Sequence, residues 1–111
     1  MSKNETIRKR AGNASFIRES NRFGSHRNMV RINPQNSLEH EVEKFKVCYQ
    51  LAKEGKEFYT EAITTFGLKA DIFVLDTGIA IEIKKSENKE SIEEKRKKYK
   101  EFGIELETIE I

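Results

Sequence analysis

Residues 69–84, Lys-Ala-Asp-Ile-Phe-Val-Leu-Asp-Thr-Gly-Ile-Ala-Ile-Glu-Ile-Lys, constrain the fold of this 111-residue chain more than any other stretch. Two runs rich in β-branched and apolar residues flank the turn signal Asp76-Thr77-Gly78, so the segment predicts an antiparallel hairpin. With Thr77-Gly78 as a two-residue loop, Asp76 faces Ile79, Phe73 faces Glu82 and Asp71 faces Lys84. Side chains alternate between the two faces of a sheet. One face then carries Ile72, Val74, Ile79, Ile81 and Ile83 and is the expected core. The other carries Asp71, Phe73, Leu75, Ala80, Glu82 and Lys84, where the apolar members predict partial cover. Three polar groups therefore converge on one side, with Asp71 and Glu82 as diagonal neighbours about 7–8 Å apart at the backbone.

The flanking segments supply the rest of a small α/β domain. Ser37 is a plausible N-cap for a helix running to Glu54, where Leu38, Val42, Phe45, Cys48, Tyr49 and Ala52 recur at three- and four-residue steps and predict one apolar face. Gly55 stops it. A strand follows over about Lys56 to Phe66, then Lys69 to Leu75 and Ile79 to Lys85. Ser91 and Glu94 fit a capping box for a helix to Phe102 with a thin apolar stripe of Ile92, Tyr99 and Phe102. Ile104 to Ile111 makes a last strand. The predicted fold class is α/β, in the order α-β-β-β-α-β, with a mixed sheet flanked by helices over residues 37–111. A core this small makes a homodimer plausible.

Residues 1–36 show no sustained periodicity and are expected to form a flexible basic arm outside the core. They hold eight Lys and Arg against two acids, a surplus of six, while the remainder carries 13 bases and 17 acids. Such asymmetry suits a polyanionic partner, with the arm on its phosphates. No window approaches the length of a membrane span, and the N-terminus lacks the apolar centre of a signal peptide; an intracellular, cytoplasmic protein without a membrane partner is expected. The lone Cys48 excludes an intrachain disulfide and is expected to be a buried thiol rather than a nucleophile. One Cys and the separated His26 and His40 give no zinc ligand set, and no Gly-rich phosphate loop is present.

Asp71 and Glu82 on one face can share a hard divalent cation, Mg²⁺ or Mn²⁺, completed by waters and phosphate oxygens. Such a cation would stabilise charge on a scissile phosphate, and Lys84 could orient a water or stabilise the transition state. The same three residues also suit an ordinary cross-strand ion pair on a solvated sheet. In the helix opening at Ser37, Glu39, Glu41 and Glu43 read as acids of the first turns, favoured by the helix dipole; Glu41 lines up with the inward face. His40 and Lys44 share one side of that helix and could touch a phosphate, with a solvated face the favoured reading for both.

Lys-Ala-Asp at 69–71 and Ile-Ala-Ile-Glu-Ile-Lys-Lys-Ser-Glu at 79–87 resemble the PD-(D/E)XK nuclease superfamily, which includes restriction endonucleases and archaeal Holliday junction resolvases. The likeness covers residues 37–111 and includes the element order. The Ser37-Leu38-Glu39-His40 opening and Glu61 look like small archaeal and CoiA-like members. Ala70 stands where the family usually has proline. The resemblance implies a restriction-endonuclease-like core, Asp71 and Glu82 as metal ligands and Lys84 as the catalytic lysine. It also implies a glutamate added from the first helix, with Glu39, Glu41 and Glu43 as candidates; motif position favours Glu39 and helical geometry Glu41. The expected activity is metal-dependent hydrolysis of DNA phosphodiesters, with branched or junction DNA favoured because little chain remains for base readout. The alternatives are a non-catalytic nucleic-acid-binding module and a partner-binding subunit with purely structural charged strands.

Overall fold

The computed structural model describes residues 2–18, 27–85 and 89–111. Its elements are α1 (Lys3–Ala14), α2 (Leu38–Lys53), β1 (Phe58–Ile63), β2 (Lys69–Val74), β3 (Ile79–Lys84), α3 (Lys89–Glu101) and β4 (Glu105–Glu110). The strands form one sheet in the order β1-β2-β3-β4. β1, β2 and β3 pair antiparallel, whereas β3 and β4 run parallel. Parallel neighbours need a crossover connection, and the segment containing α3 supplies it. The chain is thus a mixed α/β fold. From α2 onward it follows the expected element order.

Both faces of the sheet are covered. Ile72, Val74, Ile81 and Ile83 are buried with Cys48 of α2, and Val47, Leu51 and Ile79 pack around them. On the other face Phe73, Leu75 and Ala80 are buried with Ala14 and Ile17, Tyr99 of α3 and Leu106 of β4. The partition of odd and even residues between faces is the one the alternation predicts. The register is not. Ile72 pairs with Ile81, Phe73 with Ala80 and Val74 with Ile79, two residues from the expected pairing. The loop is longer than two residues, with Gly78 N donating to Val74 O across it at 2.8 Å. Asp76 does not face Ile79 as a strand residue. Its Oδ1 accepts from Glu57 N at 2.8 Å and from Arg10 Nε at 3.1 Å. A slip of two preserves facing, since the side-chain period is two.

The N-terminal segment departs from the expected arm. Ser2 caps α1 through Glu5 N at 3.1 Å. Helix α1 lies on the hairpin turn, where Asn13 Nδ2 donates to Leu75 O at 2.7 Å. Gly78, at φ 73°, is required there, because a Cβ would come within 2.9 Å of Asn13 Oδ1. Ile17 is fully buried and bridges to Thr64. Residues 27–36 are also tied down: Asn28 N donates to Phe58 O, and Arg31 N to Thr60 Oγ1. Residues 19–26, in the middle of the expected arm, lie outside the described residues, as does the Ser86-Glu87 end of the motif.

Helix α2 begins at its predicted cap, with Ser37 Oγ accepting from His40 N at 3.1 Å. Its inward face is not the predicted one. Lys44 and Cys48 are buried, whereas Leu38, Val42, Phe45 and Tyr49 are exposed. Helix α3 starts at Lys89, so Ser91 lies within it and does not cap it. No described helix is long and apolar enough to cross a membrane.

Candidate active site

The count that pairs Ile72 with Ile81 sets Asp71 directly across from Glu82, rather than diagonally. Both carboxylates, with Lys84, line a cleft of about 480 Å³. Residues from α2 and α3 complete it, namely His40, Lys95 and Tyr99, together with Lys69 and Lys85. Four lysines thus border two carboxylates.

Glu82 and Lys84 are buried as residues, at 7% and 4% exposure. Lys84 Nζ lies 3.3 Å from Glu82 Oε2, and Lys95 Nζ of α3 reaches the same oxygen at 3.2 Å. Burial pushes the Lys84 ammonium below its usual range, Lys95 adds to this, and Glu82 and Asp71 oppose it. Asp71 Oδ2 accepts from Ile83 N at 2.9 Å and lies 3.2 Å from His40 Nε2. Burial nevertheless raises its pKa above the ordinary value, aided by Glu82 and Glu61 and opposed by the Ile83 bond and His40. The contacts just named fall on one oxygen of each carboxylate.

Three participants were not assigned to the site by sequence reasoning. His40 bridges Asp71 and Glu41, with its Nδ1 2.8 Å from Glu41 Oε1. A neutral imidazole has one N–H, so it can donate to only one of the two. Tyr99 is fully buried, and its hydroxyl has no hydrogen-bond partner. Burial and the nearby Glu82 and Asp71 raise its pKa. Glu61 lies across from Asp71 by the β1–β2 count and adopts φ 48°. That left-handed conformation is uncommon outside glycine and costs on the order of 1–3 kcal/mol. Its Oε1 is 3.4 Å from Lys69 Nζ, and its buried Oε2 has no partner. The four-residue step from Lys95 to Tyr99 was legible as one helix face; nothing in the sequence marked the backbone of Glu61.

The α2 glutamates separate. Glu39 projects outward, its side chain 65% exposed, and meets Lys85 only at 3.8 Å. Glu41 does not line the cleft and touches it through His40. Burial would raise the Glu41 pKa, but Lys44, Asn33 N, Asn36 and His40 outweigh it and hold the carboxyl at about 2. Lys44, expected on a solvated face, is fully buried and donates from Nζ to Arg31 O at 2.6 Å. Glu43 is half-buried. Cys48 is a buried free thiol whose pKa burial pushes up to about 12, so it is held as the neutral thiol.

Among the described residues, no three His, Cys, Asp or Glu side chains come together as a group able to hold a metal ion. Asp71 and Glu82 line one cleft, and a small hard cation commonly takes one or two carboxylates and fills its remaining positions with water and phosphate. Comparison with protein-family models, curated proteins and solved structures returns no match.

Proposed function

We propose that this chain is a divalent-metal-dependent nuclease of the PD-(D/E)XK type, acting on DNA phosphodiesters, with branched or junction DNA favoured. The observation that carries the reading is the shared cleft, in which Asp71, Glu82 and Lys84 meet beneath a rim of Lys69, Lys85 and Lys95. A purely structural ion pair would be expected on a solvated strand; this one is buried and borders a cavity. The sequence resemblance assigns the same three residues.

Hydrolysis adds a water oxygen to phosphorus, breaks a P–O ester bond and returns a proton to the leaving oxygen. Bound Mg²⁺ or Mn²⁺ supplies Lewis-acid stabilisation of the phosphate charge. Asp71 and Glu82 would hold it. Ile83 N and His40 fix the orientation of Asp71, and Glu41 fixes His40, as outer-shell partners do. Lys84, partly desolvated, offers its ammonium to a phosphate oxygen or to the attacking water. Lys69, Lys85 and Lys95 bring the phosphate chain to the cleft.

The test is incubation of the full chain with labelled linear, flap and four-way-junction DNA in Mg²⁺, Mn²⁺ or EDTA. Metal-dependent cleavage is expected. Binding without cleavage in either metal would replace this reading with the second one, a non-catalytic nucleic-acid-binding module. One observation favours that alternative: Lys84 and Lys95 both sit on Glu82 Oε2, where a metal ligand would otherwise be free.

A further inference from the structure

Helix α2 has two apolar faces, and among the described residues only one is covered. Cys48 is buried against the sheet, with Val47 and Leu51 beside it. Leu38, Val42, Phe45 and Tyr49 form a second stripe and are 79%, 42%, 55% and 58% exposed. Their spacing is four, three, four, and Ala52 continues it by three. That is the a/d spacing of a helix seam, repeating every 3.5 residues on average. Ile32, 77% exposed, and Val30 extend the stripe along one side, where they line a shallow groove of about 380 Å³ with Leu38, Val42 and Phe45. The Phe45 and Tyr49 rings lie 6.3 Å apart along the seam.

We infer that α2 pairs with α2 of a second copy of this chain, antiparallel, along this stripe. Side-chain charge selects the occupant. With Leu38 packed against Tyr49 of the partner copy and Val42 against Phe45, each layer sets an a position against a d position. The same register brings Glu39 of each copy opposite Lys46 of the other, at both ends of the seam. Both residues are exposed, and Glu39 has only a long contact with the exposed Lys85. A parallel seam would need the opposite flank, Glu41 and Cys48. Glu41 is committed to Lys44, Asn33, Asn36 and His40, and Cys48 is buried. Antiparallel pairing also sets opposed helix dipoles side by side.

Sedimentation equilibrium of the full chain over a concentration series tests this. A reversible dimer is expected. Phe45→Glu should weaken it by about 100-fold or more, since a central buried aromatic is replaced by an unpaired charge, with an unchanged far-UV circular dichroism spectrum. Tyr49→Lys, further from the core, is the control should Phe45→Glu disturb folding. Glu39→Lys and Lys46→Glu alone should each weaken the dimer several-fold, and the two together should restore it, because only self-pairing in this register reunites the charges. A monomer at all concentrations, a dimer insensitive to both apolar substitutions, or a double charge swap that stays weak would each overturn the inference. None of these readings depends on nuclease activity.

Discussion

The two charged clusters along the β2–β3 hairpin use similar residue types to opposite ends. At the turn, Asp76 meets Arg10 through Nε and Nη2 and also accepts from Glu57 N, while Glu57 pairs with Arg10 and Arg27. Burial works against the Asp76 charge, yet Arg10 and Glu57 N outweigh it and lower its pKa. At the cleft the balance is reversed. Asp71 is raised, Lys84 is lowered, Glu61 is strained, and Glu61 Oε2 and the Tyr99 hydroxyl lack partners. The turn cluster holds α1 on the sheet. In the cleft cluster burial works against the Asp71 and Lys84 charges despite their partners, a pattern that recurs at functional sites and also in structural ion-pair networks.

The largest expected contrast is catalytic. Lys84→Ala should lower single-turnover DNA cleavage by about 10²-fold or more while leaving DNA binding nearly intact. Lys84→Arg should rescue only in part, because a planar guanidinium does not replace a compact ammonium. Cleavage at the wild-type rate by folded Lys84→Ala would remove this residue from the mechanism.

Glu41 belongs with the satisfied set despite its proximity to the cleft. A carboxyl held at about 2 against an ordinary 4.5 contributes stability that is full above 4.5 and is lost as pH falls toward 2. Allowing for partial solvent exposure, that contribution is about 2–3 kcal/mol. Glu41→Gln should therefore destabilise by about that amount at neutral pH in urea unfolding and flatten the acid limb between pH 4.5 and 2. An unaltered acid limb would show that Lys44 and residues 33–36 do not depend on this charge.

Much of the hairpin was legible because its information is periodic. Odd and even residues fell on the expected faces even though the register slipped by two. The slip itself came from tertiary demand on Asp76, whose carboxylate serves Arg10 and Glu57 N, and no local pattern carries that. Helix α2 was legible as a helix, but its most periodic apolar face is exposed in the fold, so periodicity mistook that stripe for the core side. Lys44 was read as solvated because a lysine reads so until a buried partner such as Glu41 is known. Helix α1 was missed because its anchoring depends on Arg10 and Asn13 reaching distant backbone, with Ile17 supplying the apolar plug. Asp71, Glu82 and Lys84 were found together from alternation alone; His40 and Glu61 join them only through contacts between elements.

A smaller effect concerns the N-terminal charge. Arg10 and Arg27 are occupied by Asp76 and Glu57, whereas Lys3, Arg8 and Lys9 are exposed on α1 and, under the proposed function, are candidates to meet phosphates. Changing these three to Gln should reduce the log–log salt slope of duplex binding by up to about 0.9 per lost contact, with stability unchanged. An unaltered slope would show that these three α1 bases do not contact phosphate.

The most direct test of the contrast compares Asp71→Asn with Asp76→Asn, measuring urea-unfolding stability and metal-dependent DNA cleavage on both. Asp71 carries a raised pKa, so its ionised form is disfavoured in the folded state, and that penalty grows as pH rises through the folded pKa. Asp71→Asn should be as stable as wild type or more so at pH 7, and should not cleave. Asp76→Asn should lose about 1–2 kcal/mol, through weakened bonds to Arg10 and Glu57 N, and should cleave normally. If Asp71→Asn instead destabilises as much as Asp76→Asn and cleavage persists, Asp71 is a structural carboxylate and the account of the cleft is wrong.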